Sequence, residues 1–128
     1  GDLLMVQQHR YAIDQKQQEL PAGLLDEGET PLVAAKRELL EETGYTAQKW
    51  SHLISLYMSP GTHDEKIHIY IATDLEESGV QNLDEDEILT FGTVPLKQVL
   101  DGIKNGDITD GKTVTGVLMY SHLTSVYP

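Results

Sequence analysis

Three glutamates, Glu38, Glu41 and Glu42, sit three and four residues apart in the stretch ELLEETGY. On a helix of 3.6 residues per turn this spacing places all three on adjoining ridges of one face. Like charges so placed repel by roughly 0.2–0.5 kcal/mol per pair, and the C-terminal half of a helix is already negative. Either the face is simply solvated, as charge runs commonly are, or it is built to hold a cation. Oxygen donors without cysteine or a histidine pair suit Mg2+ or Mn2+ rather than zinc. Mg2+ keeps waters and recruits substrate phosphates as further ligands. Arg37, four residues before Glu41, can hydrogen-bond a carboxylate and hold it in position.

Such a face needs a well-bounded helix. Thr30 is placed to cap it, Pro31 fits the first helical position and Gly44 the stop, which predicts a helix over 31–43. Around it, residues 3–10 read as a strand, 12–18 (AIDQKQQ) as a polar connection, and ELPAG as extended because Pro21 disfavours helix at Leu20. Residues 49–59 and 66–75 alternate as strands on either side of the turn-rich loop PGTHDE. EESGVQNLDEDE is an acidic loop, and 88–94 a short strand. Pro95 then opens a helix with Leu96, Val99, Leu100 and Ile103 on one face, ending near Gly106. A last helix over 113–126 is expected to turn Val114, Val117, Leu118 and Val126 inward. His68 alternates with Ile67 and Ile69 and reads as structural, Trp50 as packing, and the other histidines have no partner spacing. Strands mixed with helices predict a mixed sheet covered on its faces, in a single α/β domain over 1–128.

The 128 residues are enough for one domain with a real core, and 39% hydrophobic content argues against disorder. No apolar run approaches the roughly 20 residues that span a bilayer. The opening GDLLMVQQHRYAI has neither the basic start nor the long apolar core of a secretory leader. With no cysteine in the chain, a reducing, cytoplasmic setting is expected. A net charge of −12 should repel nucleic acid and anionic membranes. An anionic substrate would therefore need bound cations to reverse the local sign. The chain starts at Gly1 with a strand already under way, so an N-terminal segment of the full-length protein is expected to be missing.

The spacing weighs against a merely solvated face. Gly23, Glu29, Arg37, Glu38, Leu39, Glu41, Glu42, Gly44 and Tyr45 match the Nudix box, G-x5-E-x7-R-E-U-x-E-E-x-G-U with U a bulky apolar residue. Seven fixed identities arise by chance on the order of once in 10^8 windows at roughly 5–10% usage per residue type. The chain therefore resembles a Nudix hydrolase. ELPAG, QQHRY, LDEDE, DGKT and the proline of SPGTHDE make it look like the ADP-ribose pyrophosphatase subfamily.

The resemblance implies an α/β/α sandwich around a mixed sheet. It also implies divalent-metal-dependent hydrolysis of ADP-ribose to AMP and ribose 5-phosphate. Glu38, Glu41 and Glu42 would be the metal face, joined by the carbonyl of Ala22, with Mg2+ or Mn2+ as the ion. Gly23 would bring that carbonyl close. Arg37 and Glu29 would orient the ligands, and Glu85 or Glu87, in the loop LDEDE, would be the catalytic base. Arg10, Glu19, Pro60, Gly61, Asp64 and Glu65 would bind the substrate, with Gly61 permitting a turn that other residues resist. Family members carry an N-terminal stretch that swaps between subunits, so a homodimer is expected. Two alternatives are a hydrolase of another nucleotide sugar, such as a GDP-sugar, and a sensor that holds ADP-ribose uncut. Sensors of this type often lose box carboxylates, and all three are present here.

Overall fold

The computed structural model describes residues 1–83 and 88–126. Strands β1 (Asp2–Arg10) and β2 (Gln15–Glu19) precede helix α1 (Pro31–Thr43). Strands β3 (Tyr45–Tyr57), β4 (Lys66–Glu77) and β5 (Leu89–Pro95) follow, then helices α2 (Leu96–Asn105) and α3 (Gly111–Val126). The strands form two sheets, β2-β1-β5 and β3-β4, and every described ladder is antiparallel.

The expected single α/β domain is present, but among the described residues its strands form two antiparallel sheets rather than the expected mixed sheet, and β1 shows how its layers are stacked. Met5 and Val6 are successive and so point to opposite faces of the sheet, yet both are buried. Met5 belongs to a core with Val99 of α2, Ile108 and Val117 of α3, joined by Leu3, Leu20, Val94, Leu96, Leu100, Ile103 and Val114. Helix α3 also reaches the second sheet. A Cβ at Gly116 would lie 3.1 Å from Leu20 and 3.3 Å from Ile69 of β4, so the missing side chain lets this helix come close.

The local signals around α1 are realised. The Thr30 hydroxyl accepts from the Val33 N–H, Pro31 occupies the first turn, and Gly44 ends the helix at φ 75° with its N–H on the Leu40 carbonyl, 2.8 Å away. Gly44 is needed twice over, because a Cβ there would lie 2.5 Å from the Gly79 carbonyl oxygen.

Two further expectations are corrected. Residues 15–19 are a strand, not a polar connection: Gln17 and Glu19 point inward and are buried, which polar side chains tolerate only when paired. Thr109 donates to the Gln17 amide oxygen at 3.1 Å, and two cations satisfy Glu19. Leu118 is 46% exposed rather than inward. Helix α3 carries apolar residues on several sides, so periodicity does not single out its packed face. Trp50 lies within β3, with its indole N–H on the Ala47 carbonyl at 3.0 Å.

Candidate functional site

Helix α1 carries the acidic face, and Arg37 organises it. Its Nε and Nη2 grip Glu29 at 2.8 and 2.9 Å, and Nη2 also donates to the Leu24 carbonyl at 2.9 Å. Nη1 donates to Glu38 at 2.7 Å and to Glu41 at 3.0 Å. A guanidinium has five N–H groups, and all five are used within the chain. Arg37 therefore positions carboxylates and has no donor to spare for a phosphate. Hydrogen bonding to Glu29 holds its guanidinium well above the ordinary arginine range. In turn, Arg37 and the Asp26 backbone N–H hold the Glu29 carboxyl below the usual range.

The segment before the helix folds back onto this face. The Ala22 N–H donates to a carboxylate oxygen of Glu42, at 3.0 Å, and Glu42 is 6% exposed. The Glu38 carboxyl rests against the Cα of Gly23, where any Cβ would overlap it. Gly23 is thus explained by the space that Glu38 takes. Glu38, Glu41, Glu42 and the Ala22–Gly23 backbone converge on one region. All their donors are hard oxygens, which fits Mg2+ or Mn2+. Among the described residues no group of three His, Asp or Glu side chains is gathered closely enough to hold a metal ion by itself.

The far end of α1 is tied to the acidic loop. The Gly44 carbonyl accepts from the N–H groups of Ser78 and Gly79, at 3.0 and 3.1 Å, and the Glu41 carbonyl from that of Asn82, at 2.7 Å. The Gln81 side-chain amide donates to the carbonyls of both Glu42 and Leu89, at 2.9 and 2.8 Å. Glu85 and Glu87, the candidate bases, lie outside the described residues.

Arg10 and Glu19 form a separate cluster. Arg10 Nε and Nη2 donate to the two oxygens of Glu19, at 2.8 and 2.6 Å, and Lys112 Nζ reaches Glu19 at 3.0 Å and Asp110 at 2.9 Å. Glu19 is 2% exposed, so it positions Arg10 and Lys112 rather than facing solvent. Burial pushes its carboxyl up, but the bonds from Arg10 and Lys112 outweigh this and hold it below the usual range. Asp110 behaves alike: burial raises it, while Thr113 and Lys112 bring it lower overall. The bond to Glu19 raises Arg10. Lys112 and Asp110 were not singled out from the sequence. The readable signal was DGKT, where Asp110 accepts from the Thr113 N–H and hydroxyl at 3.3 and 2.7 Å, as a helix cap does.

The loop after β3 forms an open depression of about 560 Å³ lined by Tyr57, Pro60, Thr62, His63 and Asp64. The N–H groups of Thr62 and His63 close its turn on the Ser59 carbonyl, at 3.1 and 2.8 Å. Gly61 does not have the role expected of it: its φ is not positive and a Cβ there would meet nothing, so the turn does not require glycine. Glu65 is exposed and is not among the lining residues. Met58, at the base of the loop, packs against Gly111, next to the Lys112 cluster.

Comparison with known proteins agrees with this arrangement. A family model described as NUDIX domain matches residues 1–115. The chain is 43% identical over 116 residues to a methanol dehydrogenase activator of Bacillus methanolicus, covering 90% of this chain and 63% of that protein. It is 39% identical over 120 residues to an ADP-ribose pyrophosphatase of Bacillus subtilis, covering 91% and 64%. It is 43% identical over 106 residues to a GDP-mannose pyrophosphatase of Escherichia coli, covering 80% and 55%. The chain thus spans less than two thirds of the length of these relatives. A crystal structure of an ADP compounds hydrolase superposes with a TM-score of 0.86 at 27% identity, covering 98% of this chain and 68% of that one.

Proposed function

Because the chain belongs to the Nudix family, we propose that it hydrolyses the pyrophosphate bond of ADP-ribose, giving AMP and ribose 5-phosphate. The observation that carries this reading is the complete carboxylate face of α1, held by Arg37 and backed by Ala22 and Gly23. A sensor that only binds would not need all three carboxylates ordered. The name of the B. subtilis relative supports ADP-ribose as substrate, and that of the structural neighbour supports an ADP compound.

Glu38, Glu41 and Glu42, with the Ala22 carbonyl, would hold Mg2+ or Mn2+. The bound ion would supply charge neutralisation at the phosphate oxygens and acidify a water. The residues do the rest by position. Arg37 and Glu29 keep the carboxylates aimed without touching the substrate. Arg10, fixed at the end of β1 by buried Glu19, presents its remaining guanidinium edge to the nucleotide. Pro60 and Asp64 border the depression offered to the terminal ribose. Water adds across the bridge: one P–O bond forms, the bridging P–O bond breaks, and the proton leaves to a carboxylate of LDEDE, Glu85 or Glu87. Positioning and electrostatics of this kind are most of what phosphoryl transfer needs.

The GDP-mannose relative favours a second substrate, a GDP-sugar. The two are separated by comparing kcat/KM for ADP-ribose and GDP-mannose with Mg2+, on the wild type and on Pro60→Ala. ADP-ribose is expected to be cleaved faster, and the variant to lose about 1–2 kcal/mol of discrimination, the scale of a modest pocket contact. Equal wild-type rates refute the ADP-ribose reading. An unchanged ratio in the variant removes Pro60 from it.

We further infer a cytoplasmic homodimer that binds neither nucleic acid nor membrane. Support comes from the absent cysteines, the charge of −12, and exposed Tyr11, Ile13, Val80 and Ile88, which a second copy would cover. No described helix is long and apolar enough to cross a membrane. Sedimentation showing a monomer at high concentration with full activity refutes the dimer.

A further inference from the structure

A β-bulge in β3 brings together three side chains that regular alternation would separate. His52 pairs with Tyr70 and Ser55 with His68, and the register shifts between His52 and Ile54. Residues three apart on a regular strand point to opposite faces. The extra residue puts His52 and Ser55 on the same face, and re-aiming a side chain is a recurrent use of bulges. The Ser55 hydroxyl consequently lies 2.6 Å from His52 Nε2 and 2.7 Å from His68 Nδ1. His52 is exposed, while Ser55 and His68 are half-buried. The His52 ring is steadied edge-on against Tyr70, with centroids 5.5 Å apart.

A hydroxyl has one proton, so Ser55 donates to one imidazole and accepts from the other. Two ring nitrogens, one of them on an exposed ring, thereby face the same hydroxyl. We propose that His52, Ser55 and His68 form a second metal site, for a divalent transition ion such as Zn2+, Ni2+ or Cu2+, separate from the carboxylate face of α1. Imidazole suits these ions, whereas Mg2+ takes oxygen. The two sites therefore sort metals by ligand chemistry. Zn–N bonds are about 2.0–2.1 Å. The nitrogens now lie 2.6 and 2.7 Å from the Ser55 oxygen, and rotation of the exposed His52 ring can widen this toward the roughly 3.3 Å that separates donors on one tetrahedral ion. Water completes the four ligands. Two imidazoles and a hydroxyl make an exchangeable site, not a structural one.

The test titrates Zn2+ into the whole chain with excess Mg2+ present to saturate the carboxylate face. Imidazole nitrogens are followed by long-range 1H–15N spectra. His52 Nε2 and His68 Nδ1 are expected to shift together and saturate at one equivalent. His52→Asn and His68→Asn should each abolish that event. Because His52 is exposed, its replacement keeps the fold, which circular dichroism verifies. Shifts at only one of the two histidines, or Zn2+ binding by both variants as by the wild type, overturn the site.

Discussion

Gly23→Ala adds one methyl group where the Glu38 carboxyl now rests. The obstruction is the far end of a flexible side chain, so the backbone holds and Glu38 moves. Forcing that side chain about 30° off its rotamer costs about 0.5–1.5 kcal/mol. Its 2.7 Å bond to Arg37 is also lost, and that part-buried pair contributes about 1 kcal/mol. The fold therefore loses about 2 kcal/mol, a fall in Tm of about 8 °C for a domain of this size. Function should suffer more. Misplacing a ligand or its orienting partner costs about 10–100-fold in metal affinity or activity. The assay is hydrolysis as a function of Mg2+, paired with a thermal melt. The Mg2+ needed for half-maximal rate should rise about tenfold or more in a protein that still melts cooperatively. An unchanged Mg2+ dependence in the folded variant would refute the idea that Glu38 works from its place beside Gly23.

Glu42→Gln keeps an acceptor for the Ala22 N–H while removing the charge, so the protein should fold and its kcat/KM should drop by about 100-fold. A near wild-type rate removes Glu42 from the metal face. Gly44→Ala forces a side chain into the left-handed region at φ 75° and against the Gly79 carbonyl, and denaturant titration should show a loss above about 1–2 kcal/mol. Glu19 and Asp110 both titrate below their ordinary values of 4.5 and 3.8 in the folded chain. Their contribution is thus complete above those values and is lost as pH falls through the lowered ones. Melts between pH 7 and 3 should show Glu19→Gln less stable than wild type at pH 7 and the gap narrowing in acid; a gap independent of pH would contradict the assignment.

What the sequence displayed was local. Thr30, Pro31 and Gly44 act within a few residues of themselves, so α1 and its limits were legible, and so was the shared face of Glu38, Glu41 and Glu42. What it hid depends on distant partners. Gln17 and Glu19 form a strand's inward row only because Thr109 and Lys112, some ninety residues later, satisfy them. Arg37 showed its neighbour four residues on, but its grip on Glu29 and Leu24 exists only once the preceding loop folds back. His52 had no partner at a regular spacing because a bulge, not a period, supplies one. Leu118 was misplaced because an evenly apolar helix gives periodicity nothing to choose between.

The bonds that fasten residues 78–82 and Leu89 to the end of α1 have a further consequence. The carbonyls that receive them belong to Glu41, Glu42 and Gly44, so the stretch on either side of LDEDE is docked to the same turn that bears the carboxylates. One amide, that of Gln81, bridges the outgoing and returning strands of chain. The two sides of LDEDE are thus anchored on the helix end by acceptors that are all main-chain atoms. The carbonyl acceptors survive any side-chain replacement in α1, whereas Gln81→Ala would release the link from Glu42 to Leu89.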